Sequence, residues 1–130
     1  RCALPVQELS QSADGGSHGK KFYYLYVKDL APYLKHDKVK PGQALVKESY
    51  KAIPTKTGPS QKVDYTLGDK YGLFIMLKMP PQTAGTDDGW IYGTVTPDGK
   101  TVTGSGRMSS CMSCHLSAPH GRLFGVKAAR

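Results

Sequence analysis

The chain reads as an α+β protein, mainly an antiparallel β-sheet with a few short helices. Three observations predict this. Segments dense in aromatic and β-branched residues recur, among them "KKFYYLYVKD" and "YGLFIMLKM", and such residues favour strands. "WIYGTVTPDGKTVT" sets alternating strand formers on both sides of Pro97-Asp98-Gly99, the composition of a hairpin turn. Helical apolar spacing takes over only after Gly106, close to the C-terminus.

The elements follow in order. Residues 1–19 are polar and glycine-rich and read as a loose lead-in, with residues 20–130 as one domain. The first strand lies in "KKFYYLYVKD", with Phe22, Tyr24 and Tyr26 on one face and Tyr23, Leu25 and Val27 on the other. Both faces are apolar, so cover on both is expected. "DLAPYLKH" suits a short helix, with Asp29 as N-cap and Pro32 in the first turn. "PGQALVKESYKAI" is a second strand after a Pro-Gly turn, and "TKTGPSQK" a loop. "YGLFIMLKM" is a third strand, and "PPQTAGTDDG" another loop before the hairpin. In "RMSSCMSCHLS", Met108, Cys111, Met112 and His115 fall at helical spacing, which predicts a short C-terminal helix.

The net charge is +8, but the lysines are scattered and form no dense block. A nucleic-acid-binding tail is therefore not indicated, and a solvated basic surface is the simpler reading. No apolar run reaches the length of a membrane span. The longest is broken by Lys78 and stopped by Pro80 and Pro81. No signal peptide is visible, so an exported protein would already have lost its leader. Of three cysteines, Cys2 is left over from the pair described next, which suggests a thiol or a disulfide to a partner.

Cys111-Met-Ser-Cys114-His115 is the signature of c-type haem attachment. The two thiols add across the vinyl groups of the ring, and the adjacent histidine becomes the axial iron ligand. One helical turn brings both sulfurs to one porphyrin edge. A zinc site would need two further ligands at set spacing, and His18, His36 and His120 are unpaired in sequence. A thioredoxin-like pair would follow a strand in a βαβ unit, whereas this one follows a hairpin. Fifteen residues follow His115, and none is Met. Met108 and Met112 lie on the attachment helix itself, which leaves Met76 and Met79 as candidates for a sixth ligand. Both sit in an apolar strand, where core packing is the simpler role. The reading is of an iron with an open or apolar distal side.

Together these features resemble the cytochrome P-460 family, which includes the β-sheet cytochromes c′ (the c′-beta group). The matching segments are "YLYVKDLAPY", "GQALVKES", "YTLGDKYGL", "DDGWIYGTVTPDG" and "SCMSCH", in order over residues 20–120. The resemblance implies a mainly antiparallel sheet, one covalently bound haem c, a homodimer, and a periplasmic or otherwise extracytoplasmic location. It implies action on hydroxylamine or nitric oxide, with a soluble electron acceptor such as a cytochrome. In the family's enzymes a lysine nitrogen is bonded to a porphyrin meso carbon, and by the match this is Lys47. Alternation alone puts Lys47 on a face with Leu45, Ser49 and Lys51 and makes it a solvated lysine. The enzymes also carry a glutamate two residues past the haem histidine for proton transfer. Here that position is Ser117, with no Asp or Glu from His115 to the end, and His120 is the nearby group that titrates in a useful range.

Three functions follow from the sequence. The first is hydroxylamine oxidation to nitric oxide or nitrous oxide, with Cys111, Cys114 and His115 holding the haem, Lys47 modifying it, and His120 or Ser117 moving protons. The second is a non-catalytic protein that binds nitric oxide or another small gas at an open iron, capped by Phe22, Tyr65 or Phe74. The third is an electron carrier ligated by Met76 or Met79.

Overall fold

The computed structural model describes residues 3–9, 21–56, 63–116, 118 and 121–123. Among these, six strands form one sheet in the order β1-β2-β3-β4-β5-β6, every neighbouring pair antiparallel. The strands are β1 (Ala3–Leu9), β2 (Lys21–Val27), β3 (Ala44–Lys56), β4 (Val63–Lys78), β5 (Trp90–Val95) and β6 (Val102–Gly106). Helix α1 (Leu30–Leu34) lies between β2 and β3, and α2 (Ser109–His115) follows β6. The mainly antiparallel sheet with two short helices agrees with the sequence reading.

Several details differ from it. Ala3–Leu9, read as part of a loose lead-in, is the edge strand β1, paired to β2 from Ala3↔Tyr26 to Leu9↔Phe22. "LPVQEL" alternates weakly, and the polar run after it masks the strand. β3 takes in Thr55 and Lys56, expected as loop, and β4 begins at Val63, because the two strands pair along almost their whole length. Asp29 occupies the N-cap of α1 in extended conformation, but its side chain makes no cap hydrogen bond. Gln43 instead fixes the backbone of Asp29 from across the fold. Its Oε1 accepts from the Asp29 N–H at 2.9 Å, and its Nε2 donates to the Asp29 carbonyl at 2.8 Å.

Register decides which face each side chain takes, because directly paired residues share a face. Val27, Leu45, Met76 and Tyr92 form one rung across β2–β5, and Leu25, Lys47, Phe74 and Thr94 form the next. This inner face is the covered one. Leu25, Val27, Tyr33, Leu45, Met76, Trp90, Tyr92 and Leu123 form the core, and Met108, Cys111 and Met112 pack against it. The opposite face carries Phe22, Tyr24, Tyr26, Glu48 and Tyr50 and is half-open, with Tyr26 38% exposed. Cover on both faces, expected from the apolar pattern, is not what the described residues provide. Tyrosine tolerates this position because its ring is apolar and its hydroxyl polar. Among the described residues no helix is long and apolar enough to cross a membrane.

Candidate functional site

β6 ends at Gly106, whose positive φ turns the chain, and helix α2 begins at Ser109 and packs over the inner face. Met112 N–H donates to the Met108 carbonyl at 2.9 Å, and Leu116 N–H to the Met112 carbonyl at 3.0 Å. That single winding sets Cys111 and His115 four residues apart, on one side of the helix. Cys111 is half-buried against the core. Cys114 belongs to the same helix, though its side chain lies outside the described ones, and Ser117, His120 and Cys2 lie outside the described residues altogether.

His115 is held from two directions. Its ring packs beside Tyr92, with centroids 5.5 Å apart. Its Nδ1 lies 2.7 Å from the Arg122 carbonyl oxygen. A carbonyl only accepts, so Nδ1 carries the proton and donates, and the lone pair of the neutral ring resides on Nε2. Burial depresses the imidazole's pKa, and the nearby Lys47 charge depresses it further. The Arg122 carbonyl and Asp87 act against this without reversing it. The ring is thereby kept neutral with a defined tautomer, the state in which histidine binds a metal.

The Arg122 carbonyl is itself anchored. Asp87, 4% exposed, accepts from Arg122 Nε at 3.1 Å through Oδ2 and from Arg122 Nη2 at 3.2 Å through Oδ1. Its Oδ2 also accepts from the Tyr92 hydroxyl at 2.7 Å. Burial opposes the charge of Asp87, but the bonds from Arg122 and Tyr92 outweigh it and hold its carboxyl below the usual range. The Tyr92 hydroxyl is pushed up, first by burial and then by Asp87. Sequence reasoning singled out none of these three residues. "DDGWIY" and the arginine after Gly121 carry no local signature, and the pair is 35 residues apart, beyond any spacing rule.

Lys47 departs from its alternation-based reading as a solvated lysine. Leu45 and Ser49 on its face are buried, while Lys51, expected to share it, is exposed. Between them the β3–β4 register shifts at Tyr50, so the face does not run through. Lys47 is half-buried, and its Nζ lies 4.3 Å from the centre of the Tyr23 ring. Phe74 pairs directly with Lys47 across β3–β4. Phe22 pairs with Tyr50 and so stands on the opposite face, and Tyr65 pairs with Pro54 at the far end of the same two strands. The structure thus brings Lys47, Phe74 and His115 to one face and leaves Phe22 off it. Met76 is a core residue beside Tyr92, and Met79 is half-buried at the end of β4.

A cavity of about 490 Å³ opens elsewhere, between α1 and the segment before β3, lined by Lys28, Leu30, Tyr33, Val39 and Leu123 among others. Neither Lys47 nor His115 lines it. The chemistry-bearing residues sit at α2 and the inner face of β2–β5, so the cavity marks a surface cleft and not this site.

The donor set on the inner face suits a haem. A neutral imidazole presents its lone pair on Nε2, a cysteine stands on the same side of one short helix, and aromatic and aliphatic side chains line the sheet beneath. No curated protein matches the chain. The family model described as Cytochrome P460 matches residues 6–121, from β1 to the turn before Arg122. An antiparallel sheet carrying such a site, together with that match over most of the chain, means that the chain belongs to the cytochrome P460 family, a family of haem proteins.

Proposed function

We propose that the protein is a c-type mono-haem oxidoreductase that oxidises hydroxylamine to nitric oxide or nitrous oxide outside the cytoplasm. In this reading Cys111 and Cys114 would tether the ring through thioethers, and Nε2 of His115 would ligate the iron. Lys47 Nζ would hold the ring edge through a C–N bond, whose formation removes one N–H and one ring C–H hydrogen and so needs an external two-electron oxidant. When bound, the haem supplies a redox-active iron with a coordination position for a small nitrogen ligand. The chain's own part is to hold His115 neutral, to shield the site with Leu25 and Phe74, and to carry protons away. Conversion of hydroxylamine to nitric oxide releases three electrons and three protons. His120 and Ser117 are the candidates for receiving protons, and a soluble acceptor such as a cytochrome takes the electrons. An acidic acceptor surface suits the net charge of +8.

The observation that carries this reading is that Lys47 lies half-buried on the covered face, paired with Phe74 and with its Nζ 4.3 Å from the centre of the Tyr23 ring. The test is steady-state turnover of hydroxylamine by the haem-loaded protein with an artificial electron acceptor. Measurable turnover, lost in Lys47→Leu, is expected. No turnover with any acceptor contradicts the reading.

A second reading is favoured by one feature. Along the inner face of β2–β5, the described positions around Lys47 are Tyr23, Leu25, Ser49, Phe74 and Thr94, with no carboxylate. A sheet surface without a carboxylate beside Lys47 suits binding of nitric oxide or carbon monoxide better than proton-coupled oxidation. Lys47→Leu would then leave the absorption spectrum unchanged.

A further inference from the structure

Arg122 does two things at once. Its side chain grips Asp87 with two hydrogen bonds, and its own carbonyl receives Nδ1 of His115. Its backbone is in the left-handed region at φ 73°, which non-glycine residues generally avoid. Such a conformation persists where its surroundings hold it. On one side Leu123 is buried in the core, and on the other Asp87 holds the guanidinium.

Asp87 is in turn fixed by its loop. Its N–H donates to the Trp90 carbonyl at 2.9 Å, and the Trp90 N–H donates back at 2.8 Å. The segment leading to it is closed by Thr86 Oγ1, which donates to the Thr83 carbonyl and accepts from the Gly89 N–H. Lys78 Nζ donates to the Asp88 carbonyl from within the inner face. The carboxylate is therefore presented from a rigid turn, not from a mobile loop.

We infer that Asp87 is a positioning residue for the haem ligand: through the Arg122 clamp it holds the Arg122 carbonyl against Nδ1 of His115 and so sets the orientation and donor strength of Nε2. The inference rests on the haem reading above and goes beyond it, since that reading needs only the attachment motif. A histidine whose Nδ1–H is held by a strong acceptor is a better donor through its other nitrogen. Partners of this kind contribute about 10–100-fold to metal affinity. Covalent tethering through Cys111 and Cys114 would keep the ring in place even with the clamp broken, so the effect falls on the iron–histidine bond itself. Tyr92 closes the arrangement by touching both ends, its hydroxyl on Asp87 and its ring against His115.

The test compares haem-loaded wild type, Asp87→Asn, Arg122→Ala and the double variant by resonance Raman spectroscopy of the ferrous protein, with reduction potentials alongside. The iron–histidine stretching frequency is expected to fall in Asp87→Asn and Arg122→Ala, and the potential to move to more positive values. Because both residues act through one clamp, the double variant should fall no further than the larger single effect. A frequency unmoved in Asp87→Asn, or an additive fall in the double variant, overturns the inference. A shift in potential alone would be a bare charge effect and also overturns it. Should Asp87→Asn not fold, Arg122→Lys keeps the charge but loses the two-pronged grip. An intermediate fall in frequency supports the clamp, and an unchanged frequency refutes it. A wild-type protein that takes up no haem refutes the haem reading as well, one whose ferrous haem gives no iron–histidine band refutes the open-iron coordination on which the inference rests, and a normal wild-type band unmoved by the variants refutes the clamp alone.

Discussion

Gly89 and Gly42 show how much a single position can depend on its surroundings. Both have positive φ, 89° and 97°. A Cβ at Gly89 would stand 2.5 Å from the Met79 carbonyl oxygen, while one at Gly42 would meet nothing within 4 Å. Alanine at Gly42 therefore meets only the left-handed backbone penalty, about 1 kcal/mol. Alanine at Gly89 adds a clash with main chain in the turn that presents Asp87, and the expected cost is roughly 2–4 kcal/mol. Denaturant unfolding of the two variants checks the order. Equal costs would mean that the turn relaxes freely. Lys47 teaches the same lesson about burial. Residue type and alternation make it a solvated lysine; the family resemblance singles it out, and the burial of Leu45 and Ser49 beside it is what the structure adds.

Across β2, β3 and β4, the outer face is tied by one carboxylate. Glu48 accepts from the Tyr50 hydroxyl at 2.8 Å and pairs with Lys70 at 3.0 Å, while Tyr24 packs edge-on against Tyr50 at 5.8 Å between ring centres. Burial opposes the charge of Glu48, but the bonds from Tyr50 and Lys70 prevail and its pKa is lowered. Tyr50 is pushed up to about 12, chiefly by its bond to Glu48. The signs follow. A carboxyl lowered on folding contributes stability above its unfolded value, near 4.3, and that contribution fades as pH falls through and below it. A tyrosine raised on folding contributes below its unfolded value near 10, and the contribution is lost as pH rises toward about 12. Glu48→Gln should thus lower stability by roughly 1 kcal/mol at neutral pH, allowing for the partial exposure of the pair. The gap to wild type should shrink between about pH 5 and pH 3. A gap constant over that range, followed by thermal unfolding, would remove the charge from the account. None of this network was legible in the sequence. The hairpin β5–β6 was legible because Pro97-Asp98-Gly99 carries its own turn chemistry, with Gly99 at φ 76°. β1 was not, because an edge strand needs only one neighbour and advertises little.

For the whole molecule, the architecture follows from an apolar inner face that one chain can cover with α1, α2 and Leu123. That much was legible: strand-rich composition, a hairpin and a helical change of period after Gly106 point to a sheet with a terminal helix. The attachment motif was legible as well, because its chemistry is written in five consecutive residues. The Asp87–Arg122–His115 arrangement was not, because it exists only once β5 and the segment after α2 meet. Trp90, 1% exposed in that core, shows the scale of the cover: Trp90→Ala should cost roughly 3–5 kcal/mol, read from urea unfolding, and a loss under 1 kcal/mol would mean the inner face is not the core. The central claim is that this face presents Lys47 and His115 to one covalently held haem. The most direct measurement is the absorption spectrum of the dithionite-reduced, haem-loaded protein beside that of Lys47→Arg. The account predicts a broad, strongly red-shifted main band in the wild type and an ordinary ferrous c-type band in the variant. An ordinary c-type band in the wild type would contradict it.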